Sequence, residues 1–443
     1  MQDLDNIKKK LINNFLRIAK IPRESVHEEK IAEFFINIAK EKKIYYFKDE
    51  NNNVLIKKKG NTNSEPIAIQ AHLDMVCRKS PDSNHNFQTE GIDVIFDGDK
   101  VNANDTTLGA DQGVGLAIML TIIEGNNLQH PDLEFIFTTE EETTFNGAVT
   151  FPYSKVESKR LINLDNSKDD NVVIGSVGDI CNEYSFFGNL IKNNYPSYKI
   201  LLYGYTQGSS SENIKLSKNN AITTMAKILN KKDILLKSIN GGESENDLAA
   251  FCEVVINTSL DVYSIFKDFN VKIEKIDNQI CFSESDTQKI IKEILELECG
   301  YIKENKSFAN LGKILTLENI VKINYVFRSM EETELYNIDQ ETRKLNNNFK
   351  VQEVYKDSIW NPNKNSKMLE LYKKVYFNEY KIYPKEEICS GTIECSAIKK
   401  RINNVDIISI GATMENIHSI KETTYVSSWV KIYKLLVKLL EEI

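Results

Sequence analysis

The sequence predicts an α/β protein with a second, α+β domain inserted in its middle, on three observations. Short apolar runs alternate with helical patterns over residues 1–180. A polar texture rich in Asn, Lys and Ser, with short strand-like segments, occupies 181–357, and the α/β texture returns over 358–443. At 443 residues the chain also exceeds what one hydrophobic core usually supports.

In chain order, the opening MQDLDNIKKKLINNFLRIAK interrupts its apolar residues with charges and reads as an amphipathic helix rather than a secretory signal. Buried strands are expected at 53–58, 66–70, 133–138 and 160–164, together forming a largely parallel sheet. Residues 111–124 are apolar nearly all round, as suits a helix packed on that sheet. In the middle region, strands are expected at 198–203 and 320–327, with a charged helix near 288–298. A helix near 366–376, a strand at 405–410 and a closing helix from 428 complete the α/β part.

Composition excludes several functions. A hydrophobic fraction of 41% with 27% charged residues is ordinary for a globular chain, and a net charge of −8 leaves no basic footprint for nucleic acid or an anionic membrane. The longest apolar stretch, around 114–123, is far short of the roughly 20 residues that span a bilayer. Small neutral or zwitterionic ligands fit better. Seven cysteines at irregular spacing, without a CxxC pair, read as reduced thiols in a cytoplasm.

The informative pattern lies where strands end. The strand PIAIQ runs into His72 and Asp74, LEFIFTT into Glu140, Glu141 and Glu142, and RLINL into Asp165; VDIISI leads on to His418. Asp111 sits just before the apolar helix. Ligands of open α/β sheets bind at the carboxyl ends of strands, so these residues converge on one crevice. Singly, each has a plainer explanation: a solvated acidic loop, a turn cap, a surface histidine. Together, carboxylates crowded at one sheet edge repel one another, and a cation is the simplest remedy.

Mixed imidazole and carboxylate ligands suit zinc, with manganese or cobalt as substitutes. His72, Asp111, Glu142, Asp165 and His418 are too many for one tetrahedral ion with an open position, but they serve two ions about 3.5–4 Å apart if one carboxylate bridges. Hydrolysis at such a site needs a non-ligating carboxylate to carry a proton, and adjacent glutamates can divide the two roles.

These segments resemble the Xaa-His dipeptidase family (aminoacyl-histidine dipeptidase, PepD type), within the superfamily of carnosinases, tripeptidases, aminoacylases and glutamate carboxypeptidases. The resemblance is carried, in the family's order, by ESVHEEKI (24–31), AHLDMV (71–76), TTLGADQGVGLA (106–117), TTEEETTFNGA (138–148), LINLD (161–165), VFRSM (326–330), IEC (393–395) and IHS (417–419). It implies a phosphorylase/hydrolase-like mixed-sheet catalytic domain, made of residues 1–180 and 358–443, with an inserted α+β lid domain at 181–357. It also implies two Zn²⁺ ions, one on His72, Asp111 and Asp165, the other on Asp111, Glu142 and His418. Glu141 becomes general base and acid for a water activated by the metals, Glu140 stays outside the site, and Asp74 orients His72. A cis peptide is expected at Asp111–Gln112, and Arg328 is expected to pair with the substrate's terminal carboxylate. The substrates implied are small dipeptides, Xaa-His types such as carnosine by default, and a homodimer is compatible with the superfamily.

The pattern departs from the family in the region that faces substrate. The family's lid histidine, in a Gly-Gly-His-Ser-Gly segment, aligns with Gln207–Ser211, and the five histidines (27, 72, 85, 130, 418) leave the middle domain with none. Ser209 or its neighbour Ser210 could donate in its place; Asn246 and Glu394 stand in two further altered motifs. Losing one oxyanion donor typically costs about 10²–10³ in rate. The alternatives left open are a related amidohydrolase of tripeptidase or aminoacylase type, and a catalytically silent relative that binds peptide or metal.

Overall fold

The computed structural model describes residues 2–126, 128–211, 213, 218–302, 307–345 and 348–443. The chain divides into two compact units, the first comprising Met1–Gly175, Trp360–Cys389 and Ile393–Ile443, the second Ser176–Ile359 with Ser390–Thr392.

The first unit is built on an eight-stranded sheet in the order Tyr45–Lys48, Val54–Lys58, Leu133–Thr138, Ile67–His72, Arg160–Asn163, Asp406–Ser409, Asn171–Ser176, Lys385–Cys389. The four central strands run parallel: Leu133–Thr138, Ile67–His72, Arg160–Asn163 and Asp406–Ser409. The expected largely parallel sheet therefore has a parallel centre bordered on each side by an antiparallel neighbour, Val54–Lys58 and Asn171–Ser176. The physical reason is loop length at one edge. Tyr45–Lys48 and Val54–Lys58 are joined by a tight turn in which Asp49 Oδ1 accepts the N–H groups of Asn51 and Asn53, whereas parallel pairing needs a crossover of a dozen residues or more. Val54–Lys58 in turn pairs antiparallel with Leu133–Thr138.

Strands Ile67–His72 and Leu133–Thr138 are buried from end to end, which suits their mostly apolar runs, interrupted by Gln70 and Glu134. Helix Ala110–Glu124 is buried from Ala110 to Ile123, between the sheet and the first helix, where Asn14 Nδ2 donates to Thr121 Oγ1 at 3.0 Å. The closing helix Val426–Glu442 packs on the same layer, with the Trp429 and Phe15 ring centroids 4.8 Å apart. A small four-stranded sheet brings the chain ends together: Thr423–Tyr425 pairs with Met414–Glu415 on one side and with Lys100–Ala103 on the other. The loop carrying His418 is thereby anchored beside the chain that leads to Asp111.

The second unit has its own core around a nine-stranded sheet, antiparallel between every described pair. Its long central hairpin, Ser307–Leu317 with Ile320–Ser329, carries Arg328 near the end of its second strand. Helices Ala221–Leu229 and Glu284–Glu296 begin at side-chain caps: Asn220 accepts the N–H groups of Ile222 and Thr223, and Ser283 accepts that of Asp286. Among the described residues no helix is long and apolar enough to cross a membrane.

Candidate metal centre and active site

The register of the parallel strands places the polar residues. His72 pairs with Thr138, so the strand that ends in His72 stops level with the start of the Glu140–Glu142 turn, and Gln70 pairs with Asn163 two residues before Asp165. Three neighbouring strands thus present imidazole and carboxylates at one edge. Asp111 enters from the first turn of the buried helix, where the Asp111–Gln112 peptide is cis, as the resemblance implies.

Asp111 stands between the two histidines. Its Oδ1 lies 3.2 Å from His72 Nε2 and its Oδ2 lies 3.3 Å from His418 Nε2. His72 Nε2 is also 3.8 Å from Asp165 Oδ1, and His418 Nε2 is 2.8 Å from Glu142 Oε2. Two groups with one ligand atom per residue, all within 4.8 Å of one another, follow: His72, Asp111 and Asp165; and Asp111, Glu142 and His418. A third, overlapping group of His72, Glu141 and Glu142 arises because Glu141 Oε2 sits 4.0 Å from His72 Nε2. Glu140 turns elsewhere, accepting from Thr144 Oγ1 and Asn146 Nδ2.

The donor set fits divalent metal. Despite its short distances to two carboxylates, His418 Nε2 makes no hydrogen bond among the described residues, and Glu142 Oε1 is likewise buried and unpartnered. Atoms that converge without hydrogen-bonding direction are what ligands of a common ion look like. Charge points the same way. Burial alone would neutralise His72, but Glu141, Asp111, Asp165 and Asp74 outweigh it and raise its pKa well above the ordinary histidine value. His418 is raised against burial in the same way by Glu142 and Asp111. Burial, with Asp111 as like-charged neighbour, raises Asp165 and Glu142. Glu141 is raised well above the carboxylate range, first by burial, then by Asp165, Glu142 and Glu394.

Asp74 does more than face His72, whose Nδ1 is 3.4 Å from Asp74 Oδ1. Its two oxygens accept the backbone N–H groups of Glu141 and Glu142, both at 3.1 Å, and Oδ2 also accepts from Ser25 Oγ at 2.7 Å. Glu28, a carboxylate that burial pushes up to about 7, accepts the N–H of Glu140 at 3.0 Å. Gln112 Nε2 donates to Asp165 Oδ1 at 2.9 Å. Ser25, Glu28 and Gln112 are supports that sequence reasoning missed. Ser25 and Glu28 do fall in the 24–31 segment that carried part of the resemblance without any role assigned to it.

Glu394 has no exposed surface in this structure. Its Oε2 accepts from Thr138 Oγ1 (2.8 Å) and Gln70 Nε2 (2.5 Å), Gln70 Oε1 accepts from Asn163 Nδ2, and Asn163 Oδ1 accepts from the N–H of Asp165. It anchors a polar layer behind the ligands, and burial pushes its pKa up to about 8.

In the second unit, Arg328 is buried. Its Nε meets Asp179 Oδ2 (3.3 Å), Nη1 donates to Ser210 Oγ (3.1 Å) and Nη2 to Asn246 Oδ1 (2.5 Å), which also accepts from Tyr355 Oη. The structure therefore joins Asn246 to Arg328, but it brings Ser210 there rather than Ser209. Ser209 Oγ pairs instead with Ser211 Oγ at 2.8 Å.

A mixed sheet whose parallel strands end in this buried cluster of acids and imidazoles, with a second domain inserted in the chain, defines a metallohydrolase. The chain belongs to peptidase family M20/M25/M40, whose model matches residues 68–442, and is a metallopeptidase. It is 27% identical to the cytosol non-specific dipeptidase of Escherichia coli over 97% of this chain and 96% of that protein. Among solved structures, aminoacylhistidine dipeptidase from Vibrio alginolyticus superposes with a TM-score of 0.74 at 24% identity, covering 98% and 96% of the two chains. Aminopeptidase PepT from Bacillus cereus does so with a TM-score of 0.64 at 16% identity, covering 98% of each.

Proposed function

We propose that this peptidase is a dizinc dipeptidase acting on small dipeptides, Xaa-His substrates among them. Asp111 carries the reading, because its two oxygens face two different histidines and so suit a bridge. One ion would be held by His72, Asp111 and Asp165, the other by Asp111, Glu142 and His418. Divalent metal there would supply Lewis-acid polarisation of the scissile carbonyl and ease deprotonation of water.

Glu141 is the proton carrier. Burial and like charges give its carboxyl a raised proton affinity, which suits a group that takes a proton from the attacking water and hands it to the departing amine. Asp74 holds the Glu141 and Glu142 backbone so that neighbouring carboxylates keep separate duties. Arg328 is the group for the substrate carboxylate: among the described residues three of its five N–H donors are used, which leaves two for a planar anion.

The two dipeptidase relatives bear different names, one non-specific and one aminoacylhistidine, and the middle region of this chain has no histidine. A broad dipeptide preference is the reading supported. The test is a dipeptide panel assayed with zinc-, manganese- and cobalt-loaded protein beside tripeptides and acylated amino acids. Turnover of dipeptides with two metals per chain supports the reading; two metals with no turnover on any substrate identifies a silent metal-binding relative.

A further inference from the structure

Two buried side chains outside the ligand set, Arg23 and Glu422, grip the loop before Asp111, and each ties it to a different partner loop. Arg23 Nη1 donates to the carbonyls of Leu73 (3.0 Å) and Asp74 (2.6 Å), and Nη2 donates to that of Gly109. One guanidinium thus joins the chain just past His72 to the chain just before Asp111. Gly109 permits the approach: its φ is +66°, and a Cβ there would lie 2.6 Å from Arg23 Nη2.

Glu422 approaches the same loop through its amides. Oε2 accepts the N–H groups of Leu108 (2.8 Å) and Gly109 (2.9 Å), and Oε1 accepts those of Ala110 (2.8 Å) and Asp111 (3.2 Å). Glu422 follows His418 by four residues in the loop between Met414–Glu415 and Thr423–Tyr425, and its own N–H donates to the Ser419 carbonyl. One carboxylate therefore joins the His418 loop to the Asp111 loop.

We propose that Arg23 and Glu422 are positioning residues with divided labour, Arg23 setting ligand spacing in the His72, Asp111, Asp165 group and Glu422 in the Asp111, Glu142, His418 group. This rests on the two-metal reading above. A general helix cap or core ion would support both groups alike. Both hold the Asp111 loop that the two groups share, and what differs is the second partner: Arg23 hydrogen-bonds the Leu73 and Asp74 carbonyls just past His72, whereas Glu422 belongs to the His418 loop itself.

The experiment compares wild type with Glu422→Gln and Arg23→Met, with Glu422→Asp and Arg23→Lys as milder variants should either fail to fold. Zinc is titrated against a chelator of fixed free zinc, bound zinc is counted per chain, zinc anomalous peaks are measured at each position, and the thermal midpoint of the metal-free form is recorded. The Glu422 variants should lose affinity at the Asp111, Glu142, His418 position by about tenfold or more while the other holds, and the Arg23 variants the reverse. Two zinc ions in wild type with both positions weakened equally, or neither weakened, overturns the division of labour. Fewer than two in wild type overturns the two-metal reading and this inference with it.

Discussion

Asp74 Oδ2 accepts the backbone N–H of Glu142 at 3.1 Å, while Oδ1 accepts that of Glu141. A residue that faces His72 therefore also fixes the turn on which the proposed ligand and the proposed proton carrier sit side by side. Asp74→Asn keeps the volume, but one end of the amide donates and so cannot accept an N–H. We expect kcat to fall by about 10–100-fold with little change in KM, and Ser25→Ala, which removes one support of Asp74, to have a smaller effect. Steady-state kinetics on zinc-loaded protein reads both; a wild-type rate in Asp74→Asn would contradict the role.

Glu141→Gln should remove the proton carrier and leave the metal ligands in place. The expected outcome is a loss of about 10²–10⁴ in kcat, or more, with zinc stoichiometry unchanged. Metal analysis alongside the assay separates this from a ligand effect, and loss of zinc together with activity would reassign Glu141 as a ligand.

Ser210 and Ser209 differ by one position and by environment. Ser210 Oγ accepts from Arg328, and it donates to the Asn246 carbonyl at 2.7 Å. Ser210→Ala should raise KM for dipeptides about 10- to 100-fold, the range of one hydrogen bond to a charged group, whereas Ser209→Ala should leave KM within about twofold. Equal effects of the two would break the link between Ser210 and Arg328.

Protons compete with metal for His72 and His418, whose pKa values are raised by surrounding carboxylates. A ligating imidazole must be neutral, so each gives up its proton on binding, and apparent zinc affinity should fall steadily from pH 8 to pH 6. Chelation should also lower the thermal midpoint by removing a ligand that binds only the folded chain. Calorimetry at the two pH values, with and without chelator, checks both expectations.

The parts of the site that could be read in the sequence share a cause. His72, Glu142 and Asp165 each stand at or just past the end of a largely apolar strand, and period and punctuation along the chain reveal such a place without any tertiary knowledge. Arg23 and Glu422 leave no such signal because they act on backbone groups up to 314 residues away, and a backbone carbonyl or amide leaves no trace in residue identity. Ser209 and Ser210 are indistinguishable in the sequence, since local backbone conformation decides which of two adjacent hydroxyls faces Arg328. The flanking strands Asn171–Ser176 and Lys385–Cys389 went unread, as did the antiparallel sense of Val54–Lys58, because pairing partners and not local pattern determine them.

Glu293 offers a test remote from the metal centre. It lies in helix Glu284–Glu296 of the second unit, is 4% exposed, and its Oε1 has no hydrogen-bond partner among the described residues. Burial, with Glu296 as a like-charged neighbour, pushes its pKa up to about 8 from an ordinary value near 4.5. The sign follows from linkage: the folded state holds the proton more tightly, so this group's contribution is fully favourable below about pH 4.5. It declines as the pH rises through the window to about 8, and at pH 7, where the folded carboxyl still holds its proton while the unfolded one is ionised, the cost is on the order of 3 kcal/mol. Glu293→Met retains length and removes the charge. We expect it to raise the urea midpoint at pH 8, to change it little at pH 5, and to flatten the dependence between them. A variant less stable than wild type at pH 8 would show that the carboxylate is paired in solution.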